Sequence, residues 1–191
     1  MGFQHIAAGV LLACAAQCAM AADADTSAEL ARLYKEDQAE RQVENIDWTV
    51  LDARDAQRQR RVKAMIAADA LKTGADYANA AMVMQHAHEP DDHLLAHDLC
   101  VIAISKGFHR ARWLAAASLD RYLTGIGRPQ RYGTQYQSKG RDDPPVLLPV
   151  DPAVTDGLRR ELDVPSLAEA KKQEAEYAKE FAARTRRATA P

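Results

Sequence analysis

Between Thr73 and Gly127 the chain is interrupted at short intervals by groups that end or restart a helix: Thr73-Gly74, Glu89-Pro90-Asp91-Asp92, Gly107, then Gly125 and Gly127. The stretches between them carry helical periodicity, which predicts helices over Ala75 to Ala87, His93 to Lys106 and His109 to Thr124. Connections this short leave successive helices no choice but to pack as antiparallel neighbours. The expected fold is therefore mainly α: a compact bundle of antiparallel helical hairpins.

The flanking segments extend the same pattern. Thr26-Ser27-Ala28-Glu29 has the form of a capping box and predicts a helix start, with Leu30, Leu33 and Val43 as apolar positions and an end near Asn45-Ile46-Asp47. Asp47 can cap a second helix whose inner face holds Trp48, Leu51, Val62, Met65 and Ile66 and which stops at Thr73-Gly74. Beyond Gly127 the texture changes. Residues 128–150, with partial alternation and the Gly/Pro-containing SKGRDDPP, predict a short β-hairpin or two extended arms laid over the bundle. A short helix is expected near Thr155 to Glu161, and from Ser166 a charged helix with a thin stripe of Leu167, Ala170, Tyr177 and Phe181 running into a basic tail. This gives a helical domain over 22–165 and a charged C-terminal helix and tail over 166–191.

The N-terminus speaks to location. Ile6 to Met20 is apolar but short for a membrane span, and Ala19-Met20-Ala21 fits a signal-peptidase site, so 1–21 is expected to be a secretory signal and the protein periplasmic or secreted. Two alternatives stay open. Leu11-Leu12-Ala13-Cys14 resembles a lipobox, which would place a lipid on Cys14 and a membrane at hand, and the segment could instead be an N-terminal helix of a cytosolic chain. Removal of 1–21 leaves Cys100 as the single cysteine, set among apolar residues and expected to be a small buried hydrophobe. With 25 basic against 27 acidic residues there is no net field to draw the chain onto nucleic acid, which is not an expected partner.

Chemistry-bearing residues concentrate in three places. The stretch from Met84 to His97, MQHAHEPDDHLLAH, holds four histidines and three acids. His93 and His97 stand at i and i+4, as zinc ligands do, but Leu94 occupies the place of the zincin glutamate, and the Pro-Asp-Asp turn explains the acids as capping groups. No metal and no cofactor are expected. His88 and His93 fall near the exposed turn, whereas His86 and His97, the latter on a stripe with Leu94, Val101 and Ile104, are expected to face inward across the hairpin. The second place is Asp120-Arg121, with Asp120 on the face of Trp113 and Ala117; a buried salt bridge fixing helix register is the simplest expectation. The third is Gln130, Tyr132, Thr134 and Gln135 around Gly133, a hydrogen-bonding set suited to contacting a ligand or stitching the arm to the bundle. The lone glycine fits no phosphate loop.

These residues also carry resemblances. Ala96-x-x-Leu99 with Ala103, Gly107, Ala111 and Ala115 resembles the small-residue pattern of tetratricopeptide and Sel1-type hairpins, though without a second copy at a fixed period. Asp37-Gln38 with Arg41, Ile46-Asp47-Trp48, QHAHEPDDHLLAHDL, WLAAASLDRYL and PQRYGTQ resemble an uncharacterised bacterial family of unknown function across most of the chain beyond residue 21. That pattern does not require histidine at His88 or His93 and has glycine where Ala87 stands. No activity follows from it.

Two functions are compatible with these residues. One is a binding or scaffolding module that holds a peptide, a protein or a small ligand in a polar groove near His86, His97, Asp120 and Tyr132 to Gln135. The other is a hydrolase-like enzyme with His86 or His97 as general acid or base, Asp120 and Arg121 as further catalytic candidates, and Gln130, Tyr132, Thr134 and Gln135 binding the ligand. The chain shows no activated serine or cysteine to serve as its nucleophile.

Overall fold

The structure, a computed structural model, describes residues 25–140 and 142–188; the expected secretory signal over 1–21 and Cys14 lie outside them. The order is α1 (25–40), α2 (Trp48–Ala67), α3 (Gly74–Met84), α4 (Pro90–Ser105), a 3-10 turn (His109–Ala111), α5 (Arg112–Gly125), β1 (Tyr136–Gln137), β2 (Val146–Leu147), α6 (Asp156–Glu161) and α7 (Leu167–Ala188). The protein is mainly α, as expected. Its only sheet among the described residues is an antiparallel hairpin pairing Tyr136 with Leu147 and Gln137 with Val146. A parallel bridge between Gln130 and Val150 closes the base of this arm.

The helices stop where the chain can turn left-handed. After α4, Gly107 at φ 85° lets its N–H and that of Phe108 reach back to the carbonyls of Ile104 and Ala103. After α5, Gly127 at φ 73° does the same with Arg128, onto Thr124 and Leu123. The end of α2 departs from expectation. It falls at Ala67, and the left-handed residue is Asp69 at φ 50°, since aspartate tolerates that conformation better than most side chains. Thr73-Gly74 is a start rather than a stop: Thr73 caps α3 in a reciprocal box with Asp76. Similarly, residue 25 is already helical, so Thr26 does not cap α1, and Ser27 hydrogen-bonds Asp76 across to α3 instead. Asp47 caps α2 as expected, accepting from Thr49 and Val50.

The core lies between α3, α4 and α5, with α1 and α2 across one side. Alanines 80, 81, 96, 103 and 115 sit in it with Leu30, Val62, Val83, Met84, Leu99 and Cys100. Small side chains at these contacts let the three helices approach closely. The stripe read from Leu94, Val101 and Ile104 therefore misleads. Because α4 is clamped by α3 and α5, its buried positions are His93, Ala96, Leu99, Cys100 and Ala103, and Val101 is half exposed. Trp48 and Trp113, placed inward by periodicity, are also largely exposed.

Gly74 shows how tight the bundle is. A Cβ there would lie 2.9 Å from Cβ of Phe108 and 3.1 Å from the Ala103 carbonyl. Gly74→Ala is expected to destabilise the fold by about 1–3 kcal/mol. Urea denaturation reads this as a lower midpoint at unchanged slope; an unchanged midpoint would show that the contact is slack.

Candidate functional site

Asp120 is fully buried, yet it makes no ion pair with Arg121. Consecutive positions on a helix point about 100° apart, so the two side chains of the pair leave α5 in different directions. The Asp120 carboxylate turns to the arm, where it accepts from the backbone N–H of Arg131 (2.7 Å), Tyr132 (2.9 Å) and Thr134 (3.1 Å) and from the Thr134 hydroxyl (2.8 Å). Gly133, at φ 84°, supplies the left-handed turn that folds these amides around one anion. The expected salt bridge is thus replaced by a carboxylate cradled in backbone amides.

Gln130 is buried and saturated. Its amide donates to the carbonyls of Gln135 (3.0 Å) and Leu148 (2.9 Å), its Oε1 accepts from the Gln135 N–H (2.8 Å), and it pins both strands of the arm. Tyr132 contributes its backbone, its carbonyl accepting from the buried Arg159 at 3.0 Å. Gln130, Tyr132 and Thr134 hold the arm to the bundle, and Gln135 and Arg121 carry the polar contacts onward.

The Gln135 amide donates to the Ala117 carbonyl (3.2 Å) and to Thr134 Oγ1 (3.0 Å), while its Oε1 accepts from Nε of Arg121 (3.2 Å). Nη1 of Arg121 donates to the Gln85 carbonyl (2.7 Å). No carboxylate among the described residues pairs with Arg121. Burial, and after it the charge of Arg41, pulls this guanidinium below the usual arginine range. It nevertheless remains a cation at any physiological pH.

Arg121 opens onto a cleft of about 640 Å³ between the end of α5 and the arm, lined also by His93, Arg128, Gln135 and Tyr136. Two arginines and a histidine line this cleft, and no acidic residue does. In the last turn of α5 the carbonyls of Tyr122, Thr124 and Leu123 accept from the N–H groups of Ile126, Gly127 and Arg128.

The four histidines of the opening stretch go to different partners. Nδ1 of His86 donates to the buried Asp37 (3.0 Å) and its Nε2 accepts from the Gln85 amide (2.8 Å). His97 bonds the Ala115 carbonyl through Nδ1 at 2.9 Å, and His88 is exposed. His93, expected at the solvated turn, is instead 7% exposed. Its Nε2 donates to the Ala87 carbonyl at 2.7 Å, while its Nδ1 is buried without a hydrogen-bond partner. Because α4 begins at Pro90, three residues earlier than the periodicity predicts, His93 sits in the first turn, facing back over the α3–α4 connection. Among the described residues no cluster of three or more His, Cys, Asp or Glu could hold a metal ion. Burial also pushes the Cys100 thiol up to about 12, so it carries no thiolate near neutral pH.

A charged network missed in the sequence stands behind the cleft. The buried stripe of α2 runs Leu51, Asp55, Arg58, Val62, Met65, apolar at both ends and charged in the middle. Arg41 bridges Asp37 (2.9 Å) and Asp55 (2.5 Å), and Arg58 bonds Asp55 (2.6 Å) and Glu40 (2.9 Å). Through Asp37, His86 and Gln85 this network joins Arg121. Charges in core register on both α1 and α2 are the signal that could have revealed it.

No protein-family model, curated protein or solved structure matches this chain.

Two outcomes follow. Asp120→Asn puts an amide NH2 among N–H donors and is expected to cost roughly 3 kcal/mol, with amide exchange accelerated at Arg131, Tyr132 and Thr134; unchanged protection there would mean that the arm is held by other contacts. His93 has its pKa lowered in the folded state by burial foremost, so below the unfolded value of about 6.5 the unfolded chain takes up a proton that the folded chain refuses. Stability contributed by the neutral ring is therefore present above that value and lost as pH falls below it. Wild type should lose more stability than His93→Gln between pH of about 7 and 5; parallel pH–stability curves would contradict this.

Proposed function

We propose that the protein is a binding module whose cleft beside the arm takes a small organic anion, of the dicarboxylate class. The observation that carries this is Arg121: a desolvated guanidinium with no carboxylate partner, fixed by the Gln85 carbonyl and the Gln135 amide oxygen, at the mouth of a cleft lined by a second arginine and no acid. Arg121 is half-buried, and a partly desolvated cation without a counterion carries a cost that an anionic ligand would relieve. The two anchoring bonds preorganise Arg121, so little side-chain entropy is lost on binding. Arg128, on the exposed side, suits a second carboxylate. The short apolar run ahead of Ala21 supports export to the periplasm or medium, where such a module would meet diffusing acids.

A second function, a hydrolase using His86 or His97 as general acid or base, draws on one observation, the Asp37–His86 pair at 3.0 Å that orients the imidazole as an acid–base dyad does. It requires the Gln85 amide to leave Nε2 of His86, and Ser118 is not free to serve it, since its hydroxyl donates to the Leu114 carbonyl at 2.6 Å.

Isothermal titration calorimetry with succinate tests the binding function. Wild type should bind, and Arg121→Gln should weaken binding about ten- to hundredfold, as loss of a charge-assisted hydrogen bond does. Arg121→Lys should recover part of the loss through its charge. Equal affinity in wild type and Arg121→Gln would remove Arg121 from the site.

A further inference from the structure

We infer that the cleft selects an acid that also carries a hydrogen-bond donor beside its carboxylate, of the 2-hydroxy dicarboxylate kind, and that Nδ1 of His93 accepts that donor. This rests on the function proposed above and adds the chemistry that distinguishes one acid from another.

A carbonyl oxygen can only accept, so the 2.7 Å contact with Ala87 fixes the proton on Nε2 of His93. Burial, with the nearby charge of Arg121 working in the same direction, keeps the ring from taking a second proton. Nδ1 is therefore a lone pair. It is buried, bonded to nothing in the protein, and belongs to a ring lining the same cleft as Arg121. A buried polar atom left without a partner carries a desolvation cost, and in a ligand site that cost is recovered only by a complementary group.

The charges around His93 point the same way. Arg121 and Arg128 face the cleft from α5 and its end, and His88 stands in the preceding turn. Asp92, on the same helix as His93, is held by Lys63 of α2 at 2.6 Å. The cleft thus offers donors at Arg121 and an acceptor at His93. A 2-hydroxy acid presents the complement on adjacent carbons, a carboxylate to the guanidinium and a hydroxyl to the imidazole. A fully ionised acid without the hydroxyl would set a lone pair against a lone pair.

Titration calorimetry on the full chain with malate and succinate, repeated in two buffers of different ionisation enthalpy, tests this. Malate should bind at least about tenfold more tightly than succinate, with no net proton uptake. In His93→Phe, which keeps a ring in place and removes the Nδ1 acceptor, the two acids should bind alike. In wild type the 15N resonance of the unprotonated Nδ1 should shift on adding malate and stay in place with succinate, a readout that holds even if His93→Phe fails to fold. Equal binding of the two acids, with both still weakened by Arg121→Gln, would leave the anion site standing and overturn the role of His93. Proton uptake on binding succinate would overturn the acceptor assignment. If neither acid binds wild type, the inference and the function beneath it both fail.

Discussion

The capture of backbone amides by the Asp120 carboxylate is the interaction on which the cleft depends. The arm is a two-residue-per-strand hairpin, too small to hold its own shape in water. What fixes it is an anion inside the bundle that needs donors and three backbone N–H groups of one turn that need an acceptor. Neither could be buried alone without a cost of several kcal/mol, so each makes the other admissible. Gln130 then spaces the strands, and Gln135 arrives at Arg121 as a consequence. Remove the charge at Asp120 and the geometry of the cleft loses its origin two steps away.

Behind the cleft, Asp37, Arg41, Asp55, Arg58 and His86 place a polar seam inside a bundle otherwise packed on alanine and leucine. Such networks seldom add net stability, because desolvation consumes most of the Coulombic gain. What they do impose is register. Asp37 receives hydrogen bonds from Gln38, from Arg41 just past the end of α1 and from His86 just past the end of α3, and slipping α1 against α3 would strand them together. The seam continues through Gln85 to Arg121, so the position of the cleft arginine is tied to the packing of α1 and α2 as well as to the arm.

The hairpin architecture was legible because glycine, proline and capping residues act locally: Gly107, Gly127, Asp47 and Pro90 mean nearly the same thing in any context. The site was legible only as a set of residues. The sequence points to Arg121 and Gln135, which do meet, but it places their neighbour His93 at a solvated turn. The reason is that α4 is buried on two sides by small residues, so the large apolar side chains that usually mark the inner face do not mark it here. Asp69 ended α2 where no glycine advertised it, and Asp120 spent its charge on amides fourteen or fewer residues away rather than on the arginine beside it. These are outcomes of tertiary competition for donors, which periodicity does not encode.

That competition also explains why the acid and the base of Asp120-Arg121 take opposite roles. Both come from one turn of α5, and a salt bridge between them would have neutralised both. Because the arm supplies amides to Asp120, the acid is satisfied without consuming a cation, and Arg121 is released from any carboxylate. The fold then holds this guanidinium with neutral acceptors only, Gln85 O and Gln135 Oε1, which orient it while leaving its charge uncompensated. Because consecutive side chains leave one helix about 100° apart, α5 sends the acid to the amides of the arm and the base to the cleft, and each finds its partners on a different element.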